Sequence, residues 1–327
     1  MRKRDFLKSA AAFGGMSIVF GGASAQTGWP QSGKTIKVIV PWPPGAANDA
    51  LGRLVAQRLQ ETTGVAAIVE NRVGGAGLIG TNAVIQAEPD GYTLLASAFN
   101  TAVMHRVLKA ATFNPETDLE AVARTAVAPL VLVMTGARPE KTLQEMIESA
   151  KKSPKDFNFA ISSLGSAGHL ATVEFLRRTG LKIDMVPYRG TAPALQDIMG
   201  GNVQLLIDPS FALLKQADGV KVKALGIASK ARSPLAPDLP TIDEQGVKDF
   251  VFNSWYAIWA PKGTPRDIQV KINKLVQDTM KDPQIVATWR GRLLEPVSES
   301  IEETRAFIAG EVKRSGELLT AINFQPE

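Results

Sequence analysis

The 327-residue chain has no cysteine, only two histidines, and aromatic residues at 6% of its length. The absence of cysteine rules out disulfides, so apolar burial has to hold the fold. It also removes the thiolates of structural metal sites. His105 and His169 stand far apart in sequence with no local ligand spacing around them, so no metal is expected. Basic runs are missing too. The net charge is +5, but Arg2, Lys3, Arg4 and Lys8 against Asp5 put +3 into residues 1–25 and leave +2 for the rest. No basic face spaced with aromatics remains, which argues against a nucleic-acid partner.

What is present begins with an address. A basic start, Met1–Lys8, is followed by small and apolar residues from Ser9 to Gly22, and then by Ala23-Ser24-Ala25. This is the pattern of a secretory signal cut after about Ala25, with a periplasmic destination. Lys3-Arg4-Asp5-Phe6-Leu7-Lys8 resembles a twin-arginine export motif with Lys in the first basic position. The apolar run is too short for a membrane anchor. The remaining length, with hydrophobic residues at 45%, suffices for two cores.

From residue 34 onward, short apolar runs alternate with amphipathic stretches. Strands are expected at 35–40, 66–70 and 93–98, with helices at about 49–62 and 77–87 between them, a rhythm that predicts a parallel α/β sheet. The stretch 121–135, interrupted by Pro129, reads as two strand segments joined at a bend. A second α/β set runs from a helix at 142–152 to a strand at 222–228. A strand at 254–260 and helices at 265–281, 283–291 and 300–319 follow. This order predicts two lobes, residues 26–125 plus 253–327 and residues 126–252, crossing near 125 and 252. Trp255, Tyr256 and Trp259 read as core.

Three loops run from a strand into a helix start. In Pro41-Trp42-Pro43-Pro44-Gly45-Ala46-Ala47-Asn48-Asp49, prolines end the strand and Asn48 and Asp49 are N-cap candidates for a helix from about Asp49. Ser162-Ser163-Leu164-Gly165-Ser166-Ala167-Gly168-His169 does not fit G-x-S-x-G, and His169 has no evident acid partner, so a serine hydrolase is not supported. In Tyr188-Arg189-Gly190-Thr191-Ala192-Pro193, Thr191 is an N-cap candidate and Pro193 falls early in a helix. Helix starts present free N–H groups, so a carboxylate held between lobes is the economical reading. A fourth loop, Gly75-Ala76-Gly77-Leu78-Ile79-Gly80, fits G-x-G-x-x-G. The next strand ends at Asn100 without the acid a dinucleotide site requires, so no cofactor is expected.

Taken together, several motifs resemble the Bug family, the extracytoplasmic solute receptors of tripartite tricarboxylate transporters. They are Val40-Pro41-Trp42-Pro43-Pro44-Gly45, Glu70-Asn71-Arg72, Pro89-Asp90-Gly91-Tyr92-Thr93-Leu94-Leu95, His169-Leu170, Pro187-Tyr188-Arg189-Gly190-Thr191-Ala192-Pro193-Ala194 and Leu239-Pro240-Thr241. The resemblance implies a type II periplasmic-binding-protein fold, two α/β lobes around a ligand cleft joined by a two-strand hinge. It implies a monomeric, non-enzymatic receptor that binds a small organic acid and delivers it to integral-membrane transporter subunits. A sensor kinase as partner, or an exported enzyme acting on carboxylic acids, are the alternatives.

Carried over by position, the resemblance gives a first-lobe set of Trp42, Pro44, Gly45, Ala46, Asn48 and Asp49, with Ala98, Phe99, Asn100 and Thr101. The second-lobe set is Ser163, Gly165, Ser166, Ala167, His169, Tyr188, Gly190, Thr191, Ala192 and Asp208. Where the family commonly reads PPGGG(T/S)D, this chain has Pro43-Pro44-Gly45-Ala46-Ala47-Asn48-Asp49. Two glycines are lost, which limits positive-φ geometries, and an amide that both donates and accepts replaces a hydroxyl. Asp208 either caps the turn before Pro209 or faces the ligand, where it would repel a second carboxylate. With Trp42 and Phe99 nearby in the site, it tilts the expectation toward an aromatic or other monocarboxylate.

Overall fold

A computed structural model of the protein describes residues 28–326. The expected export signal, 1–25, lies outside the described residues. The first elements are β1 (Ile36–Val40), α1 (Ala47–Thr63), β2 (Ala67–Asn71), α2 (Leu78–Ile85), β3 (Thr93–Ala98), α3 (Asn100–Val107) and α4 (Pro115–Asp118). The middle of the chain forms β4 (Leu119–Thr135), α5 (Leu143–Lys152), β5 (Asn158–Ile161), α6 (Ala167–Thr179), β6 (Asp184–Pro187), α7 (Thr191–Gly200), β7 (Leu205–Pro209), α8 (Ser210–Leu213) and β8 (Val222–Ile227). The last part contributes β9 (Asn253–Pro261), α9 (Arg266–Lys281), α10 (Pro283–Arg290), β10 (Glu295–Pro296) and α11 (Ile301–Ala321).

Two sheets share one strand. The first runs β2-β1-β3-β9-β4-β10, with β1 parallel to β2 and β3, and with β9 antiparallel to β3 and β4. In the second, β4 pairs antiparallel with β7 and β8, and β7-β5-β6 is parallel. β4 is therefore one continuous strand and not two segments joined at a bend. What changes along it is the partner: Pro129 is the last residue opposite β9, facing Asn253, and Leu130 is the first opposite β7, facing Pro209. Proline removes one ladder donor where the ladders change hands.

The parallel pairing of β1 explains its apolar run, broken only by the exposed Lys37 near its start, since helices cover both faces of such a strand. Ile36, Val38 and Val40 are completely buried. α1 packs Leu51, Val55 and Leu59 against this sheet and stops at Gly64, whose φ of 71° closes the last turn. Trp255 packs edge-on against Phe99 and Phe307, with ring centroids 5.9 and 5.8 Å away. Phe175 meets Phe159 and Phe250 at 5.9 and 5.8 Å. Each such side chain contributes roughly 1.5–3 kcal/mol through burial. Leu95, Phe99 and Trp255 of the first sheet belong to the same apolar cluster as Leu132, Phe159 and Phe175 of the second, so the core is continuous through the crossing.

α11 opens with a capping box between Ser300 and Glu303 and sends Ile308 and Val312 into that shared cluster. Just past its end, the Phe324 ring lies against His169, centroids 5.6 Å apart. Helix α3 has no counterpart among the expected elements. Its flanking residue Phe99 has helical dihedrals and no side-chain cap, so the usual start signal is missing.

Candidate functional site

A cleft of about 1120 Å³ opens between the lobes. Its first-lobe wall is the turn before α1. Gly45 adopts φ 89°, and Ala46 then sits at an ordinary extended φ of −70° as the residue preceding the helix. Replacing the family's second and third glycines with alanine therefore creates no strain. The helix starts at Ala47, ahead of the expected position, because Asp49 works from inside the first turn instead of capping it. Asp49 Oδ2 accepts from the Gly45 N–H at 2.9 Å and Arg53 Nε at 3.0 Å. Oδ1 accepts from Asn71 Nδ2 at 2.9 Å, and that nitrogen also donates to the Trp42 carbonyl at 2.9 Å. Burial pushes the Asp49 pKa up, but the donors Arg53, Gly45 and Asn71 outweigh it and hold it below the usual value. The network locks the loop while leaving first-turn N–H groups of α1 without intrahelical acceptors.

The second-lobe wall is built from the ends of β5 and β7 and the starts of α6 and α7. Ser166 caps α6, its Oγ accepting from the His169 N–H at 3.0 Å. Thr191 does not cap α7 as expected, because Gly190 occupies that position. Thr191 Oγ1 instead donates to Asp208 Oδ2 at 2.5 Å. Asp208 Oδ1 accepts from Ser162 Oγ at 2.9 Å, and the Gly190 N–H donates to the Ser162 carbonyl at 2.8 Å. Asp208 thus binds three loops together at the floor of the cleft. Burial raises its pKa to about 6, while the Thr191 and Ser162 hydroxyls pull the other way. Gly168 has a strict reason: a Cβ there would stand 2.1 Å from the Ile207 carbonyl oxygen and 2.8 Å from Asp208 Oδ1.

Most of the residues predicted from sequence line this one cleft. Trp42, Pro44, Gly45, Ala46, Asn48, Ala98, Phe99 and Asn100 come from one side, and Ser163, Ser166, Ala167, Gly190, Thr191, Ala192 and Asp208 from the other. Five predicted residues do not line it. Asp49 faces Arg53 and Asn71. Thr101 is fully buried and donates to Ser97 Oγ at 2.8 Å. Gly165 donates its N–H to His169 Nδ1 at 3.1 Å, behind the wall. His169 is 1% exposed, and burial depresses its pKa to about 4, so it is neutral at pH 7. Tyr188 turns outward and donates to Asp197 Oδ2 at 2.7 Å.

Sequence reasoning misses several lining groups. Ser254 and Tyr256 reach the cleft from β9, which corrects the expectation that Tyr256 serves the core alone. Strand alternation is the available signal, since it sets 254 and 256 on the face opposite Trp255. Burial, with a contribution from the Asp208 charge, raises the Tyr256 pKa, so its phenol stays neutral. Arg189, Lys215 and Arg292 also line the cleft. None of the three has a carboxylate within ion-pair distance among the described residues. Ser210 Oγ donates to the Leu293 carbonyl at 3.1 Å, and the Phe211 and Trp289 rings lie 6.3 Å apart, so α8 touches the α10 side across the cleft. No sequence periodicity signals these cross-lobe meetings.

Known proteins share this fold. Residues 51–324 match the tripartite tricarboxylate transporter family receptor. Protein BugT of Bordetella pertussis is 36% identical over 283 residues, covering 86% of this chain and 87% of that protein. The structure of the periplasmic binding protein BugD is 30% identical with a TM-score of 0.84, covering 91% of this chain and all (100%) of that one. Rpa4515 of R. palustris, solved with adipate, is 30% identical with a TM-score of 0.86 over 92% of this chain and 100% of its own. Among the described residues no helix is long and apolar enough to cross a membrane. The chain belongs to the Bug-type receptors of the tripartite tricarboxylate transporter family, periplasmic solute-binding proteins with a type II fold.

Proposed function

We propose that this receptor binds a small organic carboxylate between its lobes and delivers it to integral-membrane transporter subunits, without chemical turnover. The observation that carries the reading is the convergence of three helix starts, those of α1, α6 and α7, on one cleft from two sides. Helix N-termini stabilise anions through free N–H groups and the helix dipole. The adipate bound by Rpa4515 supports a carboxylate as ligand. The export signal, cut near Ala25, sends the protein to the periplasm, where it acts as a monomer. The lobes comprise 26–125 with 253–327, and 126–252, and they articulate near the partner change in β4.

A preference for a monocarboxylate would depend on repulsion by Asp208. Both oxygens of that group are occupied by hydroxyls, whose donated hydrogens offset its charge. Arg189, Lys215 and Arg292 line the same cleft unpaired, an arrangement that favours an acid with a second anionic group beside an apolar body held by Trp42 and Phe99. A thermal-shift panel of mono-, di- and tricarboxylates, aromatic acids and amino acids tests the reading. A ligand at a hundredfold excess over Kd stabilises by about 2.7 kcal/mol. Silence across all acids, confirmed on protein refolded free of copurified ligand, would overturn it.

A further inference from the structure

We propose that Phe324 is a positioning residue for ligand binding: acting through the His169 ring, it holds the Ser163–Ser166 loop in the shape that lines the cleft. The inference rests on the receptor reading above. Ser163 and Ser166 line the second-lobe wall, whereas His169 stands behind it at 1% exposure. His169 grips the loop at two points. Its Nδ1 accepts from the Gly165 N–H at 3.1 Å, and its own backbone N–H donates to Ser166 Oγ at 3.0 Å. A ring nitrogen that accepts carries no proton, so the imidazole proton sits on Nε2. Burial holds the pKa of this ring down at about 4, so the neutral form persists at pH 7.

Support for that ring arrives from a distant part of the chain. The Phe324 ring meets it edge-on, with centroids 5.6 Å apart and planes inclined at 65°, an arrangement aromatic rings favour. The turn that ends α11 brings Phe324 there: Asn323 takes a φ of 52°, and the Phe324 N–H donates to the Leu319 carbonyl at 2.9 Å. Helix α3 bounds the same loop from a second side. A Cβ on Gly165, which has φ 72°, would stand 2.7 Å from Val107 Cγ2 and 3.4 Å from Val103 Cγ2. Without the Phe324 ring the α3 contact remains, but the imidazole is free to tilt. A tilt that carries Nδ1 away leaves the buried Gly165 N–H unpaired, which destabilises the loop as built. A loop that must be ordered at the moment of binding gives up affinity.

Isothermal titration with adipate, malate, benzoate and glutamate, together with amide hydrogen exchange of the ligand-free protein, tests this. For each acid that the unmodified protein binds, Phe324→Ala is expected to weaken binding about three- to tenfold. Phe324→Tyr, which keeps the ring, is expected to retain most of the affinity. His169→Asn keeps an acceptor near the Nδ1 position but loses the ring. It should weaken binding to a similar degree, and the double variant no further, because both changes remove one contact. In Phe324→Ala, exchange at the Gly165 amide should quicken several-fold while the amides of β5 keep their rates. Phe324→Leu takes the place of the alanine variant if that folds poorly. Unchanged affinity in Phe324→Ala or additive losses in the double variant would overturn the proposal. So would exchange that quickens equally in β5 and the loop, the mark of a general loss of stability. Failure of the receptor reading looks different: the unmodified protein would bind none of the four acids, and exchange at Gly165 would then decide alone whether Phe324 shapes the loop.

Discussion

Thr191 Oγ1 and Asp208 Oδ2 lie 2.5 Å apart, joining the first residue of α7 to the end of β7 beneath the cleft. Thr191→Ala removes one of two hydroxyl donors from a buried carboxylate, which costs about 1–3 kcal/mol in stability. We expect a folded variant with a lower melting temperature and roughly five- to tenfold weaker ligand binding, and restoration of both by Thr191→Ser. Calorimetry and titration measure the two effects. Unchanged affinity in Thr191→Ala would take the residue out of the binding machinery.

The same carboxylate makes stability depend on pH in a defined direction. The Asp208 pKa is about 6 in the fold against an ordinary 3.8, so between these values the native state holds a proton that the unfolded chain releases. Its contribution is complete below about 3.8 and is lost as pH rises through about 6. A shift of about two units corresponds to about 3 kcal/mol. Urea denaturation of the protein and of Asp208→Asn, compared from about pH 4 to pH 7, should show the unmodified protein losing ground as pH rises. A constant difference between them would contradict the assignment.

Asp49 works in the opposite sense. Its pKa is lowered in the fold, so it adds stability above its unfolded value and loses it as pH falls through the folded one. Asp49→Ala removes the acceptor for Gly45, Arg53 and Asn71 together. Loosening of the Trp42–Ala46 loop should weaken binding about tenfold, while circular dichroism stays native. Full affinity in the variant would show that the loop holds its shape without the network.

Two glycines provide a contrast. Gly168→Ala drives a methyl into the Ile207 carbonyl, a backbone contact that cannot swing away, and should destabilise by more than about 3 kcal/mol. Gly310, inside α11, has open space within 4 Å of the position a Cβ would take, and Gly310→Ala should stabilise by about 0.5–1 kcal/mol. Denaturant midpoints of the two variants should move in opposite directions.

Much of the fold is readable from sequence because its signals are local. The buried run of β1, the proline-rich stop after it and the apolar faces of α1 and α9 each depend on residues a few positions apart. Helix α3 is not readable, because it follows β3 without a capping side chain. In the site, the loop residues before α1, α6 and α7 are legible from turn chemistry and from resemblance. Lys215 and Arg292 are not, because distant segments bring them to the cleft. Asp49 and His169 belong to the right loops, but from sequence alone a residue that shapes a wall looks the same as one that forms its surface.

The strand shared by both sheets has a mechanical consequence. Where β4 exchanges β9 for β7, Pro129 carries no N–H, so that residue would have no ladder donor to lose in the proposed rotation of the lobes. The second crossing lies beside it, where the Leu130 N–H donates to the Phe252 carbonyl and the Phe252 N–H to that of Ala228, so any swing turns both segments. Because the apolar cluster passes straight through this pivot, the lobes are geared to each other and should melt in a single cooperative step.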